Sequence, residues 1–90
     1  EWTIVASILR DKNADAILAR LAAAGNTLIA TRSSNPRALD AGDLAARAEP
    51  YFEHVESVAD PAQALERARA AGPVLVTGSL YLLADLHSRE

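Results

Sequence analysis

Four short apolar runs alternate with stretches of helical pattern, and this alternation limits the fold more than any other feature of the chain. Residues 2–9 (WTIVASIL), 26–31 (NTLIAT), 51–58 (YFEHVESV) and 74–77 (VLVT) are rich in β-branched and aliphatic side chains and read as strands. Between the first two, residues 13–24 place Ile17, Leu18 and Leu21 on one helical face, and Gly25 stands where a helix C-cap glycine belongs. The second helix has start signals at Asp40, an N-cap with Asp43 three residues on, flanked by Leu39 and Leu44 at the two positions of a hydrophobic staple. The third has a stronger start, Asp60-Pro61-Ala62-Gln63, and stops at Gly72-Pro73 after Ala71. After the fourth strand, Gly78 turns the chain and Ser79 caps a last helix reaching towards Arg89.

The order β-α-β-α-β-α-β-α with short connections implies an α/β domain. It predicts a mainly parallel sheet of about four strands, right-handed crossovers and helices on both faces, hence three layers. The apolar runs fit a sheet covered on both sides. No repeat, linker or low-complexity segment interrupts residues 1–90, which read as one domain.

Composition narrows the chemistry. Hydrophobic residues make up 50% of the chain but only Trp2, Tyr51, Phe52 and Tyr81 are aromatic, so the core is aliphatic. The lack of cysteine excludes disulfides and thiolate metal sites and fits a cytoplasmic location. The formal charge of −3 is spread without a basic stripe, which argues against a nucleic-acid partner. No apolar run approaches a membrane span, and no signal-peptide pattern opens the chain. The chain has no methionine and begins directly in an apolar run, which reads as a fragment of a longer protein. Alanine supplies 20 residues and arginine outnumbers lysine 8 to 1, a bias that fits a bacterial genome rich in G and C.

In a parallel sheet every strand-to-helix loop lies at the carboxyl edge, where open α/β sheets bind ligands. Sorting the loops by that rule divides the sequence sharply. The helix-to-strand loops hold Gly25-Asn26, Glu49-Pro50 and Gly72-Pro73, which are turn formers. The strand-to-helix loops hold Arg10-Asp11-Lys12, residues 32–37 (RSSNPR) and Thr77-Gly78-Ser79. One edge thus gathers four cationic side chains, several hydroxyls and the amides of helix N-termini, which favour an anion such as a carboxylate or phosphate. The plainer reading is that these are ordinary caps and solvated loop charges. His54 and His87 have no cysteine or suitably spaced carboxylate to make a metal site and read as structural or solvent-facing; Tyr81, on the first turn of the last helix, reads as core packing ahead of stacking on a ligand. Neither a G-x-x-x-x-G-K-[ST] phosphate loop nor a G-x-G-x-x-G fingerprint is present. A receiver-domain acidic pair after the first strand is also missing, since Lys12 follows Asp11.

Three loop segments, I-L-R-D-K-N (residues 8–13), S-N-P-R-A-L (34–39) and V-T-G-S-L-Y-L (76–82), together resemble the C-terminal domain of bacterial folylpolyglutamate synthase / dihydrofolate synthase, in the Mur ligase superfamily. The resemblance covers nearly the whole chain. T-G-S-L-Y-L is its most specific element, and P-R-A supports it. The family's usual residue after D-K is Asp; Asn13 departs from that, a change that concerns a helix cap more than catalysis.

The resemblance implies a Rossmann-like domain of the Mur ligase C-terminal type, from an enzyme of folate biosynthesis and one-carbon metabolism. In that family ATP phosphorylates the carboxylate of dihydropteroate or a folate, and L-glutamate's amine attacks the acyl phosphate. The phosphate loop and Mg²⁺ ligands lie in an N-terminal domain, and the C-terminal domain closes over the cleft. Carried onto this sequence, the resemblance makes Lys12 and Ser79 glutamate carboxylate contacts, with Arg32 and Arg37 as companions. Asp11, Pro36, Thr77, Gly78 and Tyr81 are the motif residues around them. It places no catalytic residue in this stretch. It also puts a nucleotide-contacting D-G-A-H-N-P segment, with its strand and helix, just before Glu1, so ligase activity is expected only of the larger protein. Two other readings remain open here. One is the same domain from a ligase adding an amino acid to a peptidoglycan precursor, against which the aromatic after T-G-S-L counts. The other is a non-catalytic anion- or nucleotide-binding module.

Overall fold

The computed structural model describes residues 2–77. Its elements run β1 (Thr3–Ala6), α1 (Ala14–Leu21), β2 (Thr27–Ala30), α2 (Ala41–Ala48), β3 (His54–Ser57), α3 (Pro61–Ala71) and β4 (Val74–Thr77). The four strands form one sheet in the order β3-β2-β1-β4, and every neighbouring pair is parallel. The alternation in the sequence therefore carries the architecture it implies. The last expected helix, towards Arg89, lies outside the described residues.

The two faces of the sheet separate by the period of two along a strand. Ile4, Ala6, Leu28 and Ala30 face one way and join Ala14 and Leu18 of α1 with Leu44 and Ala48 of α2 in a buried cluster. Val5 and Ile29 face the other way and pack with Ala64 and Ala68 of α3. Helices thus cover both faces, giving three layers. The steps β1→β2 and β2→β3 run in one direction across the sheet, and β3→β4 returns past β2 and β1. A return with the same crossover hand puts its helix on the opposite face, where α3 lies. The strand order reverses between β1 and β4, which is the switch point of such a sheet.

Helix starts follow local chemistry. Asn13 caps α1, its side chain accepting a hydrogen bond from the Ala16 amide (3.2 Å). Asp60 caps α3 through the Gln63 amide (3.2 Å), with Pro61 at the first helical position. Asp40 caps α2 as well, but it takes the Gly42 amide (3.1 Å) rather than that of Asp43, so the reciprocal capping box is not formed. Leu39 and Leu44 both enter the core cluster beside it.

Three details differ from the sequence expectation. β1, β2 and β3 are shorter than expected, and beyond the end of β1 Leu9 forms an antiparallel bridge with Ala38 instead of extending the parallel sheet. β3 is an edge strand with polar ends, His54 and Ser57 exposed, rather than a strand buried on both faces. An edge tolerates, and is protected by, such polar residues. Gly25 does not cap α1, which ends at Leu21 with Ala22 as its C-cap. A Cβ on Gly25 would lie 2.0 Å from the carbonyl oxygen of Trp2, so glycine is needed there for close backbone approach. A glycine C-cap with positive φ occurs instead at Gly72, at the end of α3, with φ +131°. Among the described residues no helix is long and apolar enough to cross a membrane.

A candidate anion-binding edge

The carboxyl ends of β1 and β2 launch two loops, residues 7–13 and 31–40, and the structure zips them together. The Arg10 amide donates to the Arg37 carbonyl (2.7 Å), and the Leu39 amide to the Ile8 carbonyl (2.9 Å). Side chains add two more links. The Arg10 guanidinium donates to the Pro36 carbonyl (3.2 Å), and Arg37 forms an ion pair with Asp11 (2.9 Å).

Four cations were expected at this edge, and the structure sorts them into two kinds. Arg10 and Arg37 are engaged with the neighbouring loop, as above. Lys12 and Arg32 are exposed, and among the described residues their side chains have no hydrogen bond or ion pair. Lys12 sits on a tight turn closed by its own amide on the Leu9 carbonyl (3.1 Å). Arg32 follows the strand end, where its amide donates to the Ala59 carbonyl (3.3 Å). Asp11 and Pro36 serve as partners of Arg37 and Arg10. Thr77 ends β4 half-buried opposite Ala6. Gly78, Ser79 and Tyr81 lie outside the described residues.

Beneath the exposed charges is a layer that sequence reasoning missed. Ser7, directly after β1, is fully buried, and its hydroxyl accepts the Ser33 amide (3.0 Å). Ser33 and Asn35 are buried too, and the Asn35 side chain accepts the Arg37 amide (2.9 Å). A buried amide left without an acceptor costs roughly 1–3 kcal/mol, so these groups hold the loop strongly. The available signal was Ser7 itself, a polar residue in an otherwise apolar run.

His54 is exposed on the edge strand, the solvent-facing one of its two sequence readings, and no group of three His, Cys, Asp or Glu side chains comes together among the described residues. An open groove of about 700 Å³ runs between β3 and α3. Glu56 and Arg67 are ion-paired on its wall and Glu66 lies nearby, a lining poorer in free positive charge than the loop edge.

The described fold and edge define a class: a three-layer α/β domain with a parallel sheet and a cationic carboxyl edge. Within that class the chain is similar to folylpolyglutamate synthase of Mycobacterium tuberculosis. It matches the structure of that enzyme complexed with ADP at a TM-score of 0.82 with 26% identity. A second structure, complexed with ADP and AMPPCP, matches at 0.81 with 28% identity. Each match covers 98% of this chain and 23% of the enzyme, consistent with the C-terminal domain of the enzyme. No family model matches the sequence, and no curated protein does.

Proposed function

We propose that this chain is the C-terminal, glutamate-facing domain of an ATP-dependent ligase that joins L-glutamate to dihydropteroate or folates. The observation that carries the reading is the match along 98% of the chain to folylpolyglutamate synthase. The cationic edge supports it, because it suits a dicarboxylate amino acid. Since the chain spans 23% of that enzyme, the remaining domains, including an N-terminal ATP-binding domain and a strand-helix unit ahead of Thr3, belong to the proposal.

In this reading, ATP supplies the phosphoryl group that makes the folate carboxylate an acyl phosphate. Glutamate's amine then displaces phosphate and forms the amide. This chain's part is binding and orientation. Lys12 and Arg32 hold glutamate carboxylates through charge-assisted hydrogen bonds, with Ser79 as a hydroxyl partner and Arg37 close by. Holding the amine on line with the acyl carbon replaces a bimolecular encounter by an oriented one. Among the described residues no group of three His, Cys, Asp or Glu side chains comes together. In this reading the metal and nucleotide belong to the rest of the protein.

The test uses the full-length protein, assayed for glutamate-dependent release of ADP and phosphate with dihydropteroate or tetrahydrofolate. Lys12→Ala and Ser79→Ala are expected to raise the KM for glutamate on the order of tenfold, the lower end for a charged hydrogen bond, and to leave the KM for ATP unchanged. Unaltered glutamate kinetics in both variants would refute the assignment of the site. Turnover of a peptidoglycan precursor instead of a folate would move the chain to the other branch of amino-acid ligases.

A further inference from the structure

We propose that Ser7 is a positioning residue of this edge: its buried hydroxyl fixes loop 31–37 so that Arg32 and Arg37 are presented outwards together. The inference rests on the glutamate-binding reading and deepens it.

The loop alternates in burial like a strand. Thr31, Ser33 and Asn35 point inwards, while Arg32, Ser34, Pro36 and Arg37 are exposed. Each inward side chain is tied to main chain. Thr31 donates to the Ala59 carbonyl (3.0 Å), Ser33 accepts the Asn35 amide (3.4 Å), and Asn35 accepts the Arg37 amide (2.9 Å). Ser7 anchors this series from the neighbouring strand through the Ser33 amide (3.0 Å). It stands one residue beyond Ala6, at the switch point between β1 and β4, and is 0% exposed. Its neighbours Ile4, Val5, Ala6 and Ile8 are all buried and apolar, so an alanine would pack there as well as serine. The hydroxyl supplies one acceptor to the loop that carries two of the four cations.

The experiment is made on the full-length protein, with Ser7→Ala and, from the other end of the loop, Asn35→Ala. Each variant is expected to raise the KM for glutamate on the order of tenfold while kcat and the KM for ATP stay within about twofold. Hydrogen exchange of a peptide covering residues 31–37 is expected to quicken about tenfold in both. Ala68→Gly, on the opposite face of the sheet, is the control for lost stability and should leave the KM for glutamate unchanged. If loop exchange is unaltered, or quickens without any change in the KM for glutamate, the proposal is overturned. A matching rise in KM in Ala68→Gly would also overturn it, since general destabilisation would then suffice. A wild-type protein with no glutamate-dependent turnover, but with loop amides that Ser7→Ala releases, would instead sink the functional reading and keep the hold of Ser7 on the loop.

Discussion

Asp11 and Arg37, 26 residues apart in sequence, meet as an ion pair of 2.9 Å that ties the β1 loop to the β2 loop. Both side chains are more than half exposed, at 51% and 60%. Water screens such a pair, and ordering two side chains offsets part of the attraction. A double-mutant cycle with Asp11→Ala and Arg37→Ala, read by urea unfolding, is expected to give a coupling of about 0.2–1 kcal/mol that shrinks in high salt. A coupling several times larger would mean that the pair is desolvated by something else in the whole protein.

Among the described residues Lys12 and Arg32 have no such attachment, which separates their binding from stability. Surface changes of this kind usually alter stability by less than about 0.5 kcal/mol. Lys12→Ala and Arg32→Ala are therefore expected to keep the wild-type melting temperature while weakening glutamate binding. A melting temperature that falls with each substitution would assign them to the structure instead.

Two glycines are expected to resist alanine for different reasons. At Gly25 the added carbon would overlap the backbone of Trp2, and overpacking of this kind costs about 1–3 kcal/mol or more. At Gly72 there is open space, but φ of +131° strains any L side chain, at a cost of about 1–3 kcal/mol. Denaturant midpoints check both. An unchanged midpoint for Gly25→Ala would show that Trp2 moves aside freely.

Core and cap positions should differ in scale. Leu44→Ala empties a fully buried site between α2 and the sheet and is expected to cost about 2–5 kcal/mol. Asp60→Ala removes the acceptor for the Gln63 amide and should cost about 0.5–2 kcal/mol. Calorimetric or denaturant unfolding of the pair measures the ordering. Equal losses would contradict the packing described for α2.

The helix starts were legible because their causes are local. Asp60, Pro61 and Gln63 act within one turn, and β4 spans the residues the sequence assigned to it, Val74–Thr77. Gly25 misled for the same reason: a glycine after a helix signals a C-cap locally, whereas its use here is contact with a backbone 23 residues away. The loops that gather at one edge were also legible, because parallel strands must all turn towards helices at the same end. Which cations at that edge are already engaged was not.

The amino-acid sequence by itself determined the alternation of strands and helices, the parallel sense of the sheet and the edge where charge collects. Those follow from short-range propensity, capping and connection length. Tertiary structure alone decided the strand order β3-β2-β1-β4, the pairing of Arg37 with Asp11 and the burial of Ser7 beneath the β2 loop. These depend on which loops become neighbours across the sheet, a long-range outcome that no local pattern encodes.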